Sequence, residues 1–250
     1  MLAVLNDVYS VLWVDLRNMK RHWRSTVATS LVQPLLYLVA FGWGLGSGVV
    51  AEDGVSYLAF VVPGIVALTS FSTSFSGAAS KLQVDRFFYK SFDEFLMAPV
   101  SLYSIVFGKA LIGVVRGLIS SLAILAAGFA LAPTIIINWL FILSLIVSCF
   151  VFALFGVLVA LVINTHQGMS AFSTLVMLPM TFLCGTFFSL SQMPDAAKAL
   201  LYVLPLTHSS GSLRAAALGQ SFPWLSFIAL LVFGVIFFVG AIWALKKSSI

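Results

Sequence analysis

Long uncharged, apolar runs alternate with short charged blocks along the chain. Runs free of Asp, Glu, Lys and Arg extend from Ser25 to Ala51, Gly54 to Ser80, Gly117 to Pro194 and Ala215 to Leu245. A helical span takes roughly 20 apolar residues, so the third run holds more than one. Pro133 and Asn138 interrupt it once, and the cluster Asn164, Thr165, His166, Gln167, Gly168 interrupts it again, a composition suited to turns. With the apolar stretch that begins near Ile105, six transmembrane helices are predicted. They fall at Val27 to Ser47, Tyr57 to Gly77, Val106 to Ala127, Trp139 to Ile163, Ala171 to Phe188 and Trp224 to Leu245. A membrane barrel would show strict apolar and polar alternation, and the runs do not alternate.

Composition sharpens this into a fold class. Of 250 residues 61% are hydrophobic and 8% charged, against about 25% charged in an ordinary soluble domain. That leaves too little polar surface for a water-soluble globule. The sequence therefore reads as an all-α, polytopic membrane protein forming a single domain over residues 1–250.

The sparse charges fix an orientation. Arg17, Lys20, Arg21 and Arg24 precede the first span, Lys81, Arg86 and Lys90 follow the second with Lys109 at the margin of that loop, and Lys246 and Lys247 close the chain. The opposite loops carry Glu52 and Asp53 and the basic residues Lys198 and Arg214. Positive residues are retained on the cytoplasmic side, so both termini are expected there. The same bias, with anionic lipid headgroups, accounts for the net charge of +5 without nucleic acid.

Three segments are not simple spans. In residues 1–24, Leu5, Val8, Leu12, Leu16, Met19 and Trp23 recur at intervals of three and four, which predicts an amphipathic helix in the membrane interface. It serves either as a plain anchor or as a contact for a cytoplasmic partner. In the cytoplasmic loop, residues 81–99, Asp85, Arg86, Lys90, Asp93 and Glu94 are interleaved with Phe87, Phe88, Phe92 and Phe95. Such aromatic surface beside charge reads as a docking site, or as rings folding back onto the bilayer. In residues 189–223, Ala196 to Leu204 and Ser212 to Leu218 are too short to cross a bilayer. Pro194, Pro205 and Gly219 punctuate them as two short helices, an outer re-entrant hairpin that is a candidate gate.

Candidate chemistry is mostly absent. No G-x-x-x-x-G-K-[ST] phosphate loop occurs, so any ATP and Mg are expected on a partner, with no cofactor held by this chain. His22, His166 and His208 lie apart from each other and from cysteine, without metal-ligand spacing. Cys149 and Cys184 fall inside predicted spans, where packing is the expected role. All eight acids are assigned to loops or interfaces, which argues against a proton- or sodium-driven carrier. Arg116 reads as intramembrane: it lies seven residues beyond Lys109, about 10 Å deeper along a helix. It either snorkels to the cytoplasmic interface or faces a bundle interior or substrate path. Gly113 and Gly117 flank it as a small-xxx-small pair that permits close helix approach.

Several motifs together resemble one family. They are Tyr57-Leu58-Ala59-Phe60-Val61-Val62-Pro63-Gly64; Phe92-Asp93-Glu94-Phe95-Leu96-Met97-Ala98-Pro99, followed by Gly113-Val114-Val115-Arg116-Gly117; and Leu183-Cys184-Gly185-Thr186-Phe187-Phe188-Ser189-Leu190 with Met193-Pro194, Pro205-Leu206-Thr207-His208 and Arg214. Their order and spacing are similar to those of the membrane subunit of type-2 ABC exporters, bacterial permeases of drugs, lipids and polysaccharide precursors. The resemblance implies an inner-membrane permease that pairs with a second copy and with cytoplasmic ATPase subunits carrying the nucleotide. It places Asp93, Glu94 and Phe95, with Arg86 and Phe92 beside them, in the segment coupling to the ATPase. It assigns Phe187, Phe188, Pro205 and His208 to the outer gate. Sparse charge in the spans favours a hydrophobic or amphipathic cargo, such as a drug or lipid-like molecule. A lipid-linked glycan or polysaccharide precursor is the alternative cargo, and a channel or gradient-driven carrier the alternative mechanism.

Overall fold

A computed structural model of the chain describes residues 2–45, 56–89, 92, 94, 97–98, 100–132, 134–188 and 194–248. Asp93 and Phe95 of the expected coupling segment lie outside the described residues, as do Glu52, Asp53 and Lys90 and the side chain of His22. Helices account for the architecture. In chain order they are α1 (Leu2–Val39), running on into a π-helical turn (Ala40–Leu45), α2 (Tyr57–Phe87), α3 (Leu102–Leu131), α4 (Trp139–Val162), α5 (residues 166–183), α6 (Asp195–Tyr202), α7 (Pro205–Ala217) and α8 (Trp224–Ser248).

Five of these helices carry segments long and apolar enough to cross a membrane: Trp23–Gly42 of α1, Tyr57–Phe87, Leu102–Leu131, Trp139–Val162 and Trp224–Lys247. All five coincide with expected spans. The remaining expectation, Ala171 to Phe188, corresponds to a broken helix. His166–Phe172 passes into a π-helical stretch, Ser173–Met177, before α-helix resumes at Leu178–Leu183. Pro179 explains the break, because it has no N–H to offer the carbonyl four residues earlier, and a π-turn absorbs the mismatch. The Leu178 N–H accordingly reaches back five residues to Ser173 O.

Helix starts are set by side chains that the apolar pattern does not reveal. Ser56, Ser101, Asn138 and Thr165 each accept a hydrogen bond from the backbone N–H three residues on, opening α2, α3, α4 and α5. The two short helices expected between the fifth and sixth spans are present as α6 and α7. Pro205 does not close the first of them but begins the second, and Gly219 takes the left-handed conformation, φ 67°, just past α7.

Two expectations about charged segments are corrected. The loop drawn from Lys81 starts later, because α2 continues to Phe87 and its last turns carry Lys81, Asp85 and Arg86. At 31 residues α2 is about 46 Å long, well beyond a hydrocarbon core of about 30 Å. The segment expected as a separate amphipathic helix is continuous with the first span as α1. Its apolar stripe is half-buried at Val8, Leu12, Leu16 and Met19, whereas the buried positions are Val11 and Asp15, displaced around the helix. Val11 sits against Gly108 of α3, which has no side chain to obstruct it.

The core lies where α2, α3 and α4 meet. A Cβ added at Gly113 of α3 would stand 2.5 Å from Ser74 O of α2, and one at Gly117 would overlap Ser74 Oγ. The small-xxx-small pair does bring two backbones together. Gly156 of α4 meets α2 in the same way, its added Cβ lying 2.5 Å from Phe75 O and 3.1 Å from Phe75 Cα. Backbone cannot give way as a flexible side chain can. Gly156→Ala is therefore expected to part α2 from α4 and cost about 1–3 kcal/mol, read as an earlier SDS-induced unfolding midpoint in mixed micelles, while Gly211→Ala, with nothing within 4 Å, leaves it unmoved.

Candidate functional site

Three constructions carry the chemistry that the fold brings together. The first is a strap at the end of α5. Gly185, φ 71°, turns the chain out of α5, leaving the carbonyls of residues 184–187 in need of donors. Ser210 Oγ donates to Cys184 O at 3.0 Å, Arg214 Nη2 to Gly185 O at 2.7 Å and to Thr186 O at 3.2 Å, and Tyr57 Oη to Phe187 O at 3.0 Å. Arg214 Nε also donates to Phe60 O at 3.2 Å, and its guanidinium lies 3.8 Å above the Phe60 ring. One arginine on α7 thus ties the strap to α2. Gly64 makes room for it, since an added Cβ would collide with Thr186 O.

The expected gate residues sit around this strap. Phe187 is buried and stacks on Phe41 at 4.2 Å, with Tyr37 at 5.4 Å and Phe182 at 5.9 Å. Phe188 is half-buried against the core. Pro205 is buried at the first position of α7. His208 is nearly buried; its Nε2 donates to Tyr202 O at 2.8 Å, which ties α7 back to α6. Phe187 therefore lies on the strap that Arg214 holds one and two residues earlier in the chain, and His208 shares helix α7 with Arg214. Arg214 belongs to the family motif, yet its role as hub has no local signal, because its partners lie 28 to 154 residues away in sequence.

The second construction is the opposite end of the bundle. Arg86, on the last turn of α2, donates from Nη1 to Ala160 O at 2.6 Å and Leu161 O at 3.2 Å, and from Nη2 to Asn164 Oδ1 at 3.1 Å. It satisfies the open carbonyls at the C-terminus of α4, where a cation is also favoured by the helix dipole. Phe92 is 3% exposed and packs in the core, 5.9 Å from the Arg86 guanidinium. Phe92 therefore packs inside the chain, and Arg86, partly buried, is engaged by the end of α4. What this end displays instead is Phe88, Tyr89 and Met97, exposed by 72%, 71% and 89%, with Glu94 exposed beside them in sequence.

The third construction was not legible in the sequence at all. Lys109 of α3, 1% exposed, donates to Asp15 Oδ2 at 3.0 Å and to Asp85 Oδ2 at 2.6 Å. Lys81 donates to Asp85 Oδ1 at 2.7 Å and stands 3.4 Å from Asp15 Oδ1. Two acids and two lysines from α1, α2 and α3 thus form one group whose formal charges sum to zero. Asp15, Asp85 and Lys109 lie on helices and are buried, Asp85 not in a loop as expected and Lys109 inside α3. Burial is tolerated because each charge has two opposite partners.

Arg116 sits deeper on α3, lining a cavity between α1, α2 and α3. Among the described residues no group of three or more His, Cys, Asp or Glu is placed to hold a metal ion.

Among the described residues the chain is an all-helical bundle with five helices long and apolar enough to cross a membrane, the architecture of a polytopic membrane protein. The chain belongs to the ABC-2 type transporter family, which it matches over residues 6–218. It is 27% identical over 237 residues to the inner membrane transport permease YadH of Escherichia coli (strain K12), covering 94% of this chain and 92% of that one. It is 29% identical over 234 residues to nodulation protein J of Bradyrhizobium diazoefficiens, covering 88% and 87%. Its general role is that of an ABC transport permease.

Proposed function

We propose that the chain is the membrane-spanning subunit of an ATP-driven exporter in the bacterial inner membrane. It forms the path for a hydrophobic or amphipathic molecule, pairs with a second copy, and takes its power from a separate cytoplasmic ATPase subunit. The family match across residues 6–218 carries this reading, and the similarity to YadH, an inner membrane transport permease, supports the location. Both termini are cytoplasmic, as the ten basic residues gathered on one side require. Residues 166–183, π-turn included, make the sixth crossing, and α6 with α7 form the outer re-entrant hairpin.

The ATPase docks where Phe88, Tyr89 and Met97 are displayed, since exposed apolar surface at a loop beside charge marks a contact. Asp93, Glu94 and Phe95 belong to that coupling segment, with Arg86 and Phe92 as its internal anchors. At the far end, the aromatic cluster around Phe187 closes the path between cycles.

Purification of the tagged chain from its native host tests the reading. A copurifying ATPase with vanadate-sensitive hydrolysis and two copies of each chain is the expected result; a stable complex without any ATPase contradicts it. Charge reversal in the same complex, Asp93→Lys with Glu94→Lys, is expected to leave hydrolysis measurable while transport falls at least tenfold. Unchanged transport removes these two residues from the coupling segment.

A further inference from the structure

The cavity between α1, α2 and α3 has a volume of about 540 Å³, inside the range of roughly 300–1,000 Å³ typical of small-molecule sites. Its wall has two characters. Trp23, Val27 and Ile119 supply apolar surface, while Ser76 and Ser80 present hydroxyls one helical turn apart on α2. Arg116 is the charged residue of the lining. Its Nε is buried without a hydrogen-bond partner, and among the described residues its guanidinium makes no ion pair.

Charge accounting makes this unusual. The nearby acids, Asp15 and Asp85, are already shared between Lys81 and Lys109 in a group that sums to zero. Arg116 is therefore an excess positive charge facing a cavity with no acid in its wall. The fold also makes space for it in this position: a Cβ at Gly77, between the two serines, would lie 2.9 Å from Arg116 Cδ. A planar guanidinium beside free hydroxyls suits a phosphate, sulfate or carboxylate, and the apolar wall suits a hydrocarbon chain.

We propose that this cavity binds an anionic amphiphile, its headgroup against Arg116 and the two serine hydroxyls and its chain along Trp23 and Ile119. The inference rests on the permease reading only in treating the bound molecule as cargo; a resident anionic lipid would meet the same chemistry.

The test uses the full chain in a neutral detergent, titrated with lysophosphatidic acid and with lysophosphatidylcholine of the same acyl chain, with adducts counted by native mass spectrometry. One charge-assisted contact predicts about tenfold tighter binding of the anionic lipid. Arg116→Gln abolishes that preference, Arg116→Lys keeps part of it, and lysophosphatidylcholine binding is the same for all three. An anionic preference that survives in Arg116→Gln, or is missing from the unmodified chain, overturns the proposal. A second readout needs no change at Arg116. Brominated-chain lysophosphatidic acid quenches Trp23 emission, taken as the difference from Trp23→Phe, at about tenfold lower concentration than the brominated phosphocholine; equal concentrations overturn the site.

Reconstitution with the ATPase subunit then separates the two sources. ATP-dependent movement of the anionic lipid supports the site and marks the lipid as cargo, while binding without movement supports it with the lipid as a resident. Binding is read without ATPase, so failure of the export reading and failure of this site are seen in different experiments.

Discussion

Lys109→Met is expected to destabilise the bundle more than any other single change considered. Methionine nearly matches lysine in volume, so the cost comes from charge and not from a cavity. Removing Lys109 leaves Asp15 and Asp85 sharing Lys81 alone, with one uncompensated negative charge in a group whose members are almost wholly buried. Breaking a buried pair on one side costs about 3–5 kcal/mol. The measurement is SDS-induced unfolding in mixed micelles. The same logic predicts a rescue: Lys109→Met with Asp85→Asn leaves the neutral pair Lys81 and Asp15, and should recover more than half of the loss. Equal destabilisation by the single and double variants would mean that volume or hydrogen bonding, and not charge balance, governs the junction.

Arg214→Ala is expected to release the strap. Gly185 O and Thr186 O lose a charged donor together, and contacts of that kind contribute about 1.5–3 kcal/mol each. With the partial exposure of Arg214 taken into account, a total of about 2–4 kcal/mol follows. The Phe60 stacking contact goes with it. Because Phe187 is held by Tyr57 and by its rings but not by Arg214, the strap should loosen locally. Protease cleavage near residues 184–188 should therefore accelerate by more than the global loss of stability explains. Arg214→Lys restores a charge without the fork and should recover less than half of the protection. Cleavage unchanged in Arg214→Ala would assign the strap's order to Ser210, Tyr57 and the aromatic cluster.

These two sites show what kind of information a single sequence holds. The spans at Tyr57, Leu102, Trp139 and Trp224 were legible because lipid imposes a length of apolar chain and the rare charges mark its ends. The short helices α6 and α7 were legible because Pro194, Pro205 and Gly219 have fixed backbone preferences. The closeness of α2 and α3 was foreshadowed by Gly113 and Gly117, since small residues at i and i+4 leave one face of a helix open. The Asp15, Lys81, Asp85 and Lys109 group was not legible. Asp15 and Lys109 are 94 residues apart, and a lone charge near a span end looks the same whether it meets water or a partner. Pattern therefore assigned Lys81, Asp85 and Arg86 to a loop, although burial of paired charge lets α2 continue through them.

The candidate site divides along the same line. Motif spacing singled out Phe187, Phe188, Pro205 and His208, and the fold sets Phe187 in an aromatic cluster and His208 against α6. Spacing missed that Arg214 holds the strap at Gly185 and Thr186, because those bonds go to backbone carbonyls, which carry no sequence signature. At the other end, charge beside phenylalanine suggested a display surface or rings folding back onto the bilayer, and Phe88 is exposed. Phe92 is not, because a ring next to Arg86 can stack on that cation and bury itself in the core. Alternation of charged and aromatic residues alone does not distinguish these two outcomes.

The central claim is that hydrolysis on a separate subunit is converted into movement through this chain. Its most direct test measures both quantities in one preparation: proteoliposomes holding the chain and its copurified ATPase, assayed for phosphate release and for transfer of a lysophosphatidic acid probe between leaflets. The account predicts transfer that requires ATP, stops with vanadate and is absent when either subunit is omitted. Transfer by the chain alone under an ion gradient, with no ATPase present, would contradict it.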